Sequence, residues 1–169
     1  MKRILMLCCA VLLFCQTVAF AHEMPDEEMY IGGITVGDTL GYAKLIMGAP
    51  EQIIRQKYTE KRDVEYLYSH EKLLVRGEME WEKKVEEDDL IIWNISIHDN
   101  QWTTPSGITT GMPYAEVVAL FGESSKVHRT MKHEMHLYKG QKRNMSFFVD
   151  SQTGLISSIG VISPSFQGI

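Results

Sequence analysis

The chain is expected to fold as an α+β protein: two tandem repeats, each a short helix followed by a three-stranded antiparallel sheet. Three observations lead there. A glycine-framed segment recurs at a constant offset of 74 residues. Each copy carries apolar residues at helical spacing, and each is followed by stretches in which apolar and polar side chains alternate.

The frame is read first. Gly33-Ile34-Thr35-Val36-Gly37 leads into a segment closed by Gly48, and Gly107-Ile108-Thr109-Thr110-Gly111 leads into one closed by Gly122. Between them Ala43, Leu45, Ile46 and Met47 match Val117, Ala119, Leu120 and Phe121, keeping the apolar positions in register. Asp38 and Thr39 are good N-cap residues, and Pro113 suits a helix start. Leu40, Ala43 and Met47, like Tyr114, Val117, Val118 and Phe121, form one apolar stripe. Gly48 and Gly122 stand where a left-handed cap ends a helix, and Pro50 stops the first helix from resuming. Gly37, Gly48, Gly111 and Gly122 are therefore read as structural, with no phosphate-cradling pattern around them.

Strands follow each helix. In the first copy they are expected at Val64–Tyr68, Leu73–Val85 and Leu90–Ile97, with Ile91, Trp93, Ile95 and Ile97 on one side; Trp81 and Trp93 then belong to the core. In the second copy they fall at His136–Tyr138, Met145–Asp150 and Leu155–Ile162. The expected organisation is a signal peptide at 1–21, a tail at 22–30, module one at 31–98, a linker at 99–105 and module two at 106–163. A unit of that size buries only about 60% of its unfolded surface, so the two are expected to pack together.

The first residues bound the compartment. Lys2 and Arg3 precede an apolar run from Ile4 to Cys15, and Ala19-Phe20-Ala21 offers a small-x-small cleavage site, so export to the periplasm or the extracellular space is expected. The run is too short to span a bilayer. Cys8, Cys9 and Cys15 all lie within it; cleavage would leave a chain with no disulfide, thiolate or cysteine zinc site. Bulky Phe14 before Cys15 argues against lipidation.

Loss of Lys2 and Arg3 would leave 15 basic against 22 acidic side chains, a net of −7. Residues 22–98 hold 17 acids and 9 bases, whereas 99–169 hold 5 and 6. Nucleic acid demands a basic surface, so it is not an expected partner, and anionic lipid would repel the acidic half.

The glycine, the polar step, the short helix with its terminal glycine and the tyrosine-bearing strand (Gly37, Gly48, Pro50, Tyr68; Gly111, Gly122, Tyr138) resemble the small outer-membrane assembly lipoproteins of the SmpA/OmlA type. The tandem arrangement also resembles the β-lactamase inhibitor protein family. The resemblance spans residues 31–98 and 106–163 and implies non-enzymatic modules that dock on other envelope proteins through a sheet face or loops. The lipidated cysteine of the lipoproteins is missing, and no inhibitor-specific loop is recognisable.

The expected function is accordingly a non-enzymatic, exported protein-binding module serving envelope assembly, inhibition or sensing, without a cofactor. Its partner would be another exported or envelope protein. The expected contact patch joins Trp102, in the linker among polar residues, to the strand face carrying Glu78, Glu80 and Glu82; Trp102 could equally plug the gap between the modules. The competing reading is a copper-type metal carrier using His22, His133 and His136, with His128 nearby. Residues three apart on a strand point to opposite faces, so His133 and His136 converge only if that stretch curls. Ser146, Ser157 and Ser158 lack a nucleophile-elbow pattern, and alternating glutamates are ordinary for a wet strand face, so no enzyme is expected.

Overall fold

The computed structural model describes residues 23–57, 61–80 and 85–164. The expected signal peptide at 1–21, His22, Trp81 and Glu82 lie outside the described residues.

Within them the chain forms helix α1 (Leu40–Met47), strands β1 (Gln52–Lys57), β2 (Lys61–Tyr68), β3 (Leu73–Glu80) and β4 (Ile91–Ile97), helix α2 (Tyr114–Phe121), and strands β5 (Lys126–Arg129), β6 (His133–Lys139), β7 (Asn144–Asp150) and β8 (Ile156–Ile162). All eight strands belong to one antiparallel sheet in the order β1-β2-β3-β4-β8-β7-β6-β5. This corrects the expectation of two tandem helix-plus-three-strand units with separate sheets. Two features overturn it. An extra strand, β1 or β5, stands at each outer edge, and β4 pairs with β8 through Asn94↔Ile162, Ile95↔Val161, Ser96↔Gly160 and Ile97↔Ile159. The physical reason is edge satisfaction: either half alone would leave an apolar strand with unpaired backbone groups, and joining the two buries both.

Both helices form where caps and apolar spacing direct them. Thr39 caps α1 by accepting the backbone N–H of Tyr42 at 3.1 Å. Gly48 and Gly122 close the helices at φ of 85° and 75°, which a side chain would disfavour. Leu40 and Ala43 of α1 and Val117 of α2 are buried in a single core with Tyr66, Val75, Ile95, Val161, Met145 and Tyr138. Gly77 lets α1 sit close: a Cβ there would lie 2.8 Å from Leu40 Cγ.

Two bulges reset which residues face this core. Between Arg76 and Gly77 the β3–β4 register shifts, so Ile92 and Ile95 both point inward, Ile91 is exposed and Trp93 turns outward. The expected face of Ile91, Trp93, Ile95 and Ile97 is thus broken by one extra residue, a change that flips every side chain beyond it. Trp93, expected in the core, donates its indole N–H to Asp63 at 3.3 Å. A matching shift between Phe148 and Val149 lets Ile156 and Ile159 both face inward.

The residues ahead of α1 act as a strap. Met24 and Met29 are buried in the core, Met24 N–H donates to Lys139 O at 3.1 Å, and the Asp26 carboxylate accepts the backbone N–H of Lys142 at 3.1 Å. Thr35 Oγ1 donates to Met29 O at 2.5 Å and accepts from Arg143 Nη1 at 3.0 Å.

Candidate docking face

Among the described residues the helices lie on one face of the sheet, and no helix or strand lies on the other. Directly opposed residues share a face, so the register gives the composition of this open side. One row crosses all eight strands: Gln52, Leu67, Leu74, Ser96, Gly160, Ser146, Leu137 and Lys126. A second runs Ser158, Phe148, Met135 and His128, and a third runs Ile54, Glu65, Arg76, Asn94, Ile162, Asn144 and Lys139.

The middle of the first row is unusually small. Ser96, Gly160 and Ser146 stand on three adjacent central strands, flanked by Leu137 and, one row along, Phe148 and Met135. Small side chains between large ones leave a depression, and here it measures about 740 Å³. Its floor combines Leu137, Met135, Phe148 and Ile162 with the hydroxyls of Ser146 and Ser158. Phe148 remains 37% exposed, an aromatic surface held toward solvent.

Charge on this face changes sign between the halves. On β2 and β3 the Glu65 carboxylate takes Arg76 Nε at 2.8 Å, and Asp63, whose pKa burial pushes up, accepts from Trp93. Among the described residues lining the hollow the titratable side chains are Lys126, Lys139, His98, His128 and His133, with no carboxylate. Burial, then the neighbouring Lys72, holds the His98 imidazole below its ordinary pKa. Asp150, opposite His133, is occupied by the turn that follows: its Oδ1 accepts the backbone N–H groups of Gln152 and Thr153, each at 2.9 Å. Those amides hold its carboxyl below the usual range.

His133 and His136 are not brought together. His133 belongs to the open side, whereas His136, 6% exposed, lies on the helix side and stacks on Tyr114 with ring centroids 3.9 Å apart. Among the described residues no three His, Cys, Asp or Glu side chains cluster as metal ligands. The His136 ring sits between Ser124 Oγ, 3.3 Å from Nδ1, and Glu134 Oε2, 3.2 Å from Nε2, and Glu134 is also held by Arg129 Nε at 3.0 Å. This order imitates a nucleophile–base–acid relay. It lies on the opposite side of the sheet from the hollow, however, under an aromatic lid, and burial holds the imidazole pKa down. The arrangement is a clip joining the segment after α2 to β6.

Trp102 and the glutamates also lie apart. Trp102 is half-buried against the core and donates its indole N–H to Ser69 Oγ at 3.3 Å, beyond the start of β3. Glu78 lies toward the far end of β3, about 16 Å along at the usual strand rise. Glu80 continues away from Trp102 along the same strand. In sequence His128 and His133 read only as candidate metal ligands, and Lys126 and Lys139 do not stand out, because the short β5 is not recognisable as a strand. The signal available was the alternation Lys126, His128 and His133, Met135, Leu137, Lys139.

Known proteins supply the fold and no family. No family model and no curated protein matches this chain. A cysteine-rich secretory protein from Staphylococcus aureus is similar over 85% of this chain and 48% of its own, with 13% identity and a TM-score of 0.56. An extracellular protein containing an SCP domain from Bacillus anthracis is similar over 89% and 49%, with 12% identity and a TM-score of 0.53. The chain thus spans about half the length of these solved structures, which share its architecture. A Streptococcus mutans protein named provisionally as a β-lactamase inhibitor protein is also similar, with 11% identity over 83% of this chain and 90% of its own, but its TM-score of 0.31 carries no argument. None of these findings supports kinship with the outer-membrane assembly lipoproteins. No helix among the described residues is long and apolar enough to cross a membrane.

Proposed function

We propose that the chain is an exported, non-enzymatic module that binds another exported protein through the open face of its sheet. The observation that carries this reading is the hollow over Ser96, Gly160 and Ser146, on the side of the sheet that the helices leave bare. A sheet face with no second layer is normally finished in polar side chains. Here Phe148, Met135, Leu137 and Ile162 are gathered there, as at the apolar centre of an interface with a polar rim. Export rests on the leader expected at residues 1–21, and the architecture is one that proteins named as secretory or extracellular also use.

The test is site-specific photo-crosslinking in cells that make the chain. A benzophenone side chain in place of Phe148 is expected to give a covalent adduct with another exported protein. The same group in place of Leu120, on α2 and therefore on the helix side, is expected to give none. Adducts from Leu120 alone would overturn the reading.

A further inference from the structure

The docking reading leaves the partner's chemistry open, and the charge pattern of the face narrows it. We infer that the hollow receives an acidic segment of the partner, with carboxylates flanking one apolar side chain; this rests on the docking reading above.

The chain is acidic overall, with a formal net charge of −5, yet among the described residues every ionisable side chain lining the hollow is a lysine or a histidine. Lys126 and Lys139 are exposed at its border, ending the rows that begin at Gln52 and Ile54. A basic segment arriving here would meet the like charges of Lys126 and Lys139 and lose solvation in doing so. A neutral segment would gain the apolar floor but leave the lysines unanswered. An acidic segment gains both.

The size of the hollow suits one such segment. Its volume of about 740 Å³ accommodates one large side chain with its neighbours rather than a flat protein surface. The apolar side chain would rest against Phe148 and Leu137, and backbone groups beside it could meet the hydroxyls of Ser146 and Ser158. The acidic half of the same face, with Asp63 and Glu65, would repel that segment from β2 and β3 and so fix its position over β5–β8.

The probes are two short disulfide-cyclised peptides, one with the loop Glu-Phe-Asp-Leu and one with Gln-Phe-Asn-Leu, titrated against the full chain by fluorescence anisotropy at low salt. The acidic peptide is expected to bind at least about tenfold more tightly. The Lys126→Glu/Lys139→Glu double variant should lose that advantage, while Lys142→Glu, outside the hollow, should retain it. Both hollow lysines are exposed, so an unchanged melting temperature will show that the double variant is folded. Equal binding of the two peptides, no binding of the acidic one, or an advantage that survives the double variant would each overturn the inference. The two readings fail separately. A Phe148 adduct that persists undiminished in the double variant leaves docking standing and removes the acidic partner, whereas absence of any Phe148 adduct removes docking itself.

Discussion

The Tyr138 hydroxyl donates to the carbonyl oxygen of Gly122 at 2.8 Å, tying β6 to the residue that ends α2. Tyr114 adds a second hydroxyl 2.9 Å from the first, and burial raises the Tyr138 pKa well above that of a free phenol. The first half of the chain contains a weaker counterpart: Tyr68 donates to Gly48 O at 3.4 Å, and burial pushes its pKa to about 12. Removing a buried donor strands its acceptor, so Tyr138→Phe should cost about 1–2 kcal/mol and Tyr68→Phe less than about 1 kcal/mol. Urea denaturation of both variants measures the difference; equal losses would show that the two tyrosines serve their helices alike.

Gly32 and Trp102 are a second matched pair. Gly32 has a φ of 58°, and a Cβ on it would come within 2.6 Å of the indole Cε3. Gly32→Ala therefore combines backbone strain with a clash against a ring held by the core, for an expected cost of about 2–3 kcal/mol. Displacement of the ring should also shift tryptophan emission to the red. A variant with unaltered emission and stability would show that Trp102 is not seated as described.

Acid should weaken the fold in two stages. The pKa values of His98 and His136 are held low in the folded state, chiefly by burial, so the unfolded chain takes up protons first. Stability is then complete above the ordinary histidine value of about 6.5 and falls as pH drops below it toward the depressed folded values. Glu87, Asp88, Glu134 and Asp150 have lowered pKa values through their hydrogen bonds and charged neighbours, and they add a further loss once pH falls below the ordinary carboxylate range. Replacing His136 by Phe, which can retain the stack on Tyr114, should shrink the first stage to the part due to His98 and leave most of the second. Denaturant midpoints measured from pH 8 to pH 3 test both.

The strap should be as important as a core strand. Met29 is fully buried, and its carbonyl oxygen receives the Thr35 hydroxyl. Met29→Ala is expected to cost about 3 kcal/mol through lost burial and the cavity left behind. A loss below about 1 kcal/mol would mean that the surrounding chain collapses into the space.

The sequence made the helices readable because Thr39, Gly48 and Gly122 are strong local signals that need no tertiary context. Strands β2, β3, β4, β6, β7 and β8 are legible in the sequence, β6 only over His136–Tyr138. β1 and β5 were missed because edge strands carry polar residues on both sides, as in Gln52–Lys57, and show little alternation. Union into one sheet could not be read, since the β4–β8 pairing depends on which strands meet rather than on any local pattern. The bulge in β4 hides the face of Trp93 for a related reason: one inserted residue reverses the parity of all that follow. Missing β5 then hid the hollow, whose basic border comes partly from that strand.

The strap has a kinetic consequence. Asp26 meets the backbone of Lys142 across a sequence separation of 116 residues, and β4 awaits its neighbour β8 almost to the end of the described chain. During synthesis in the usual N-to-C direction, the strap finds its resting place only after β6 has followed it. Such distant closures make for slow maturation and a lingering half-built sheet with one bare edge. A chain of this design is open to edge-to-edge association in the interval before it closes its own seam.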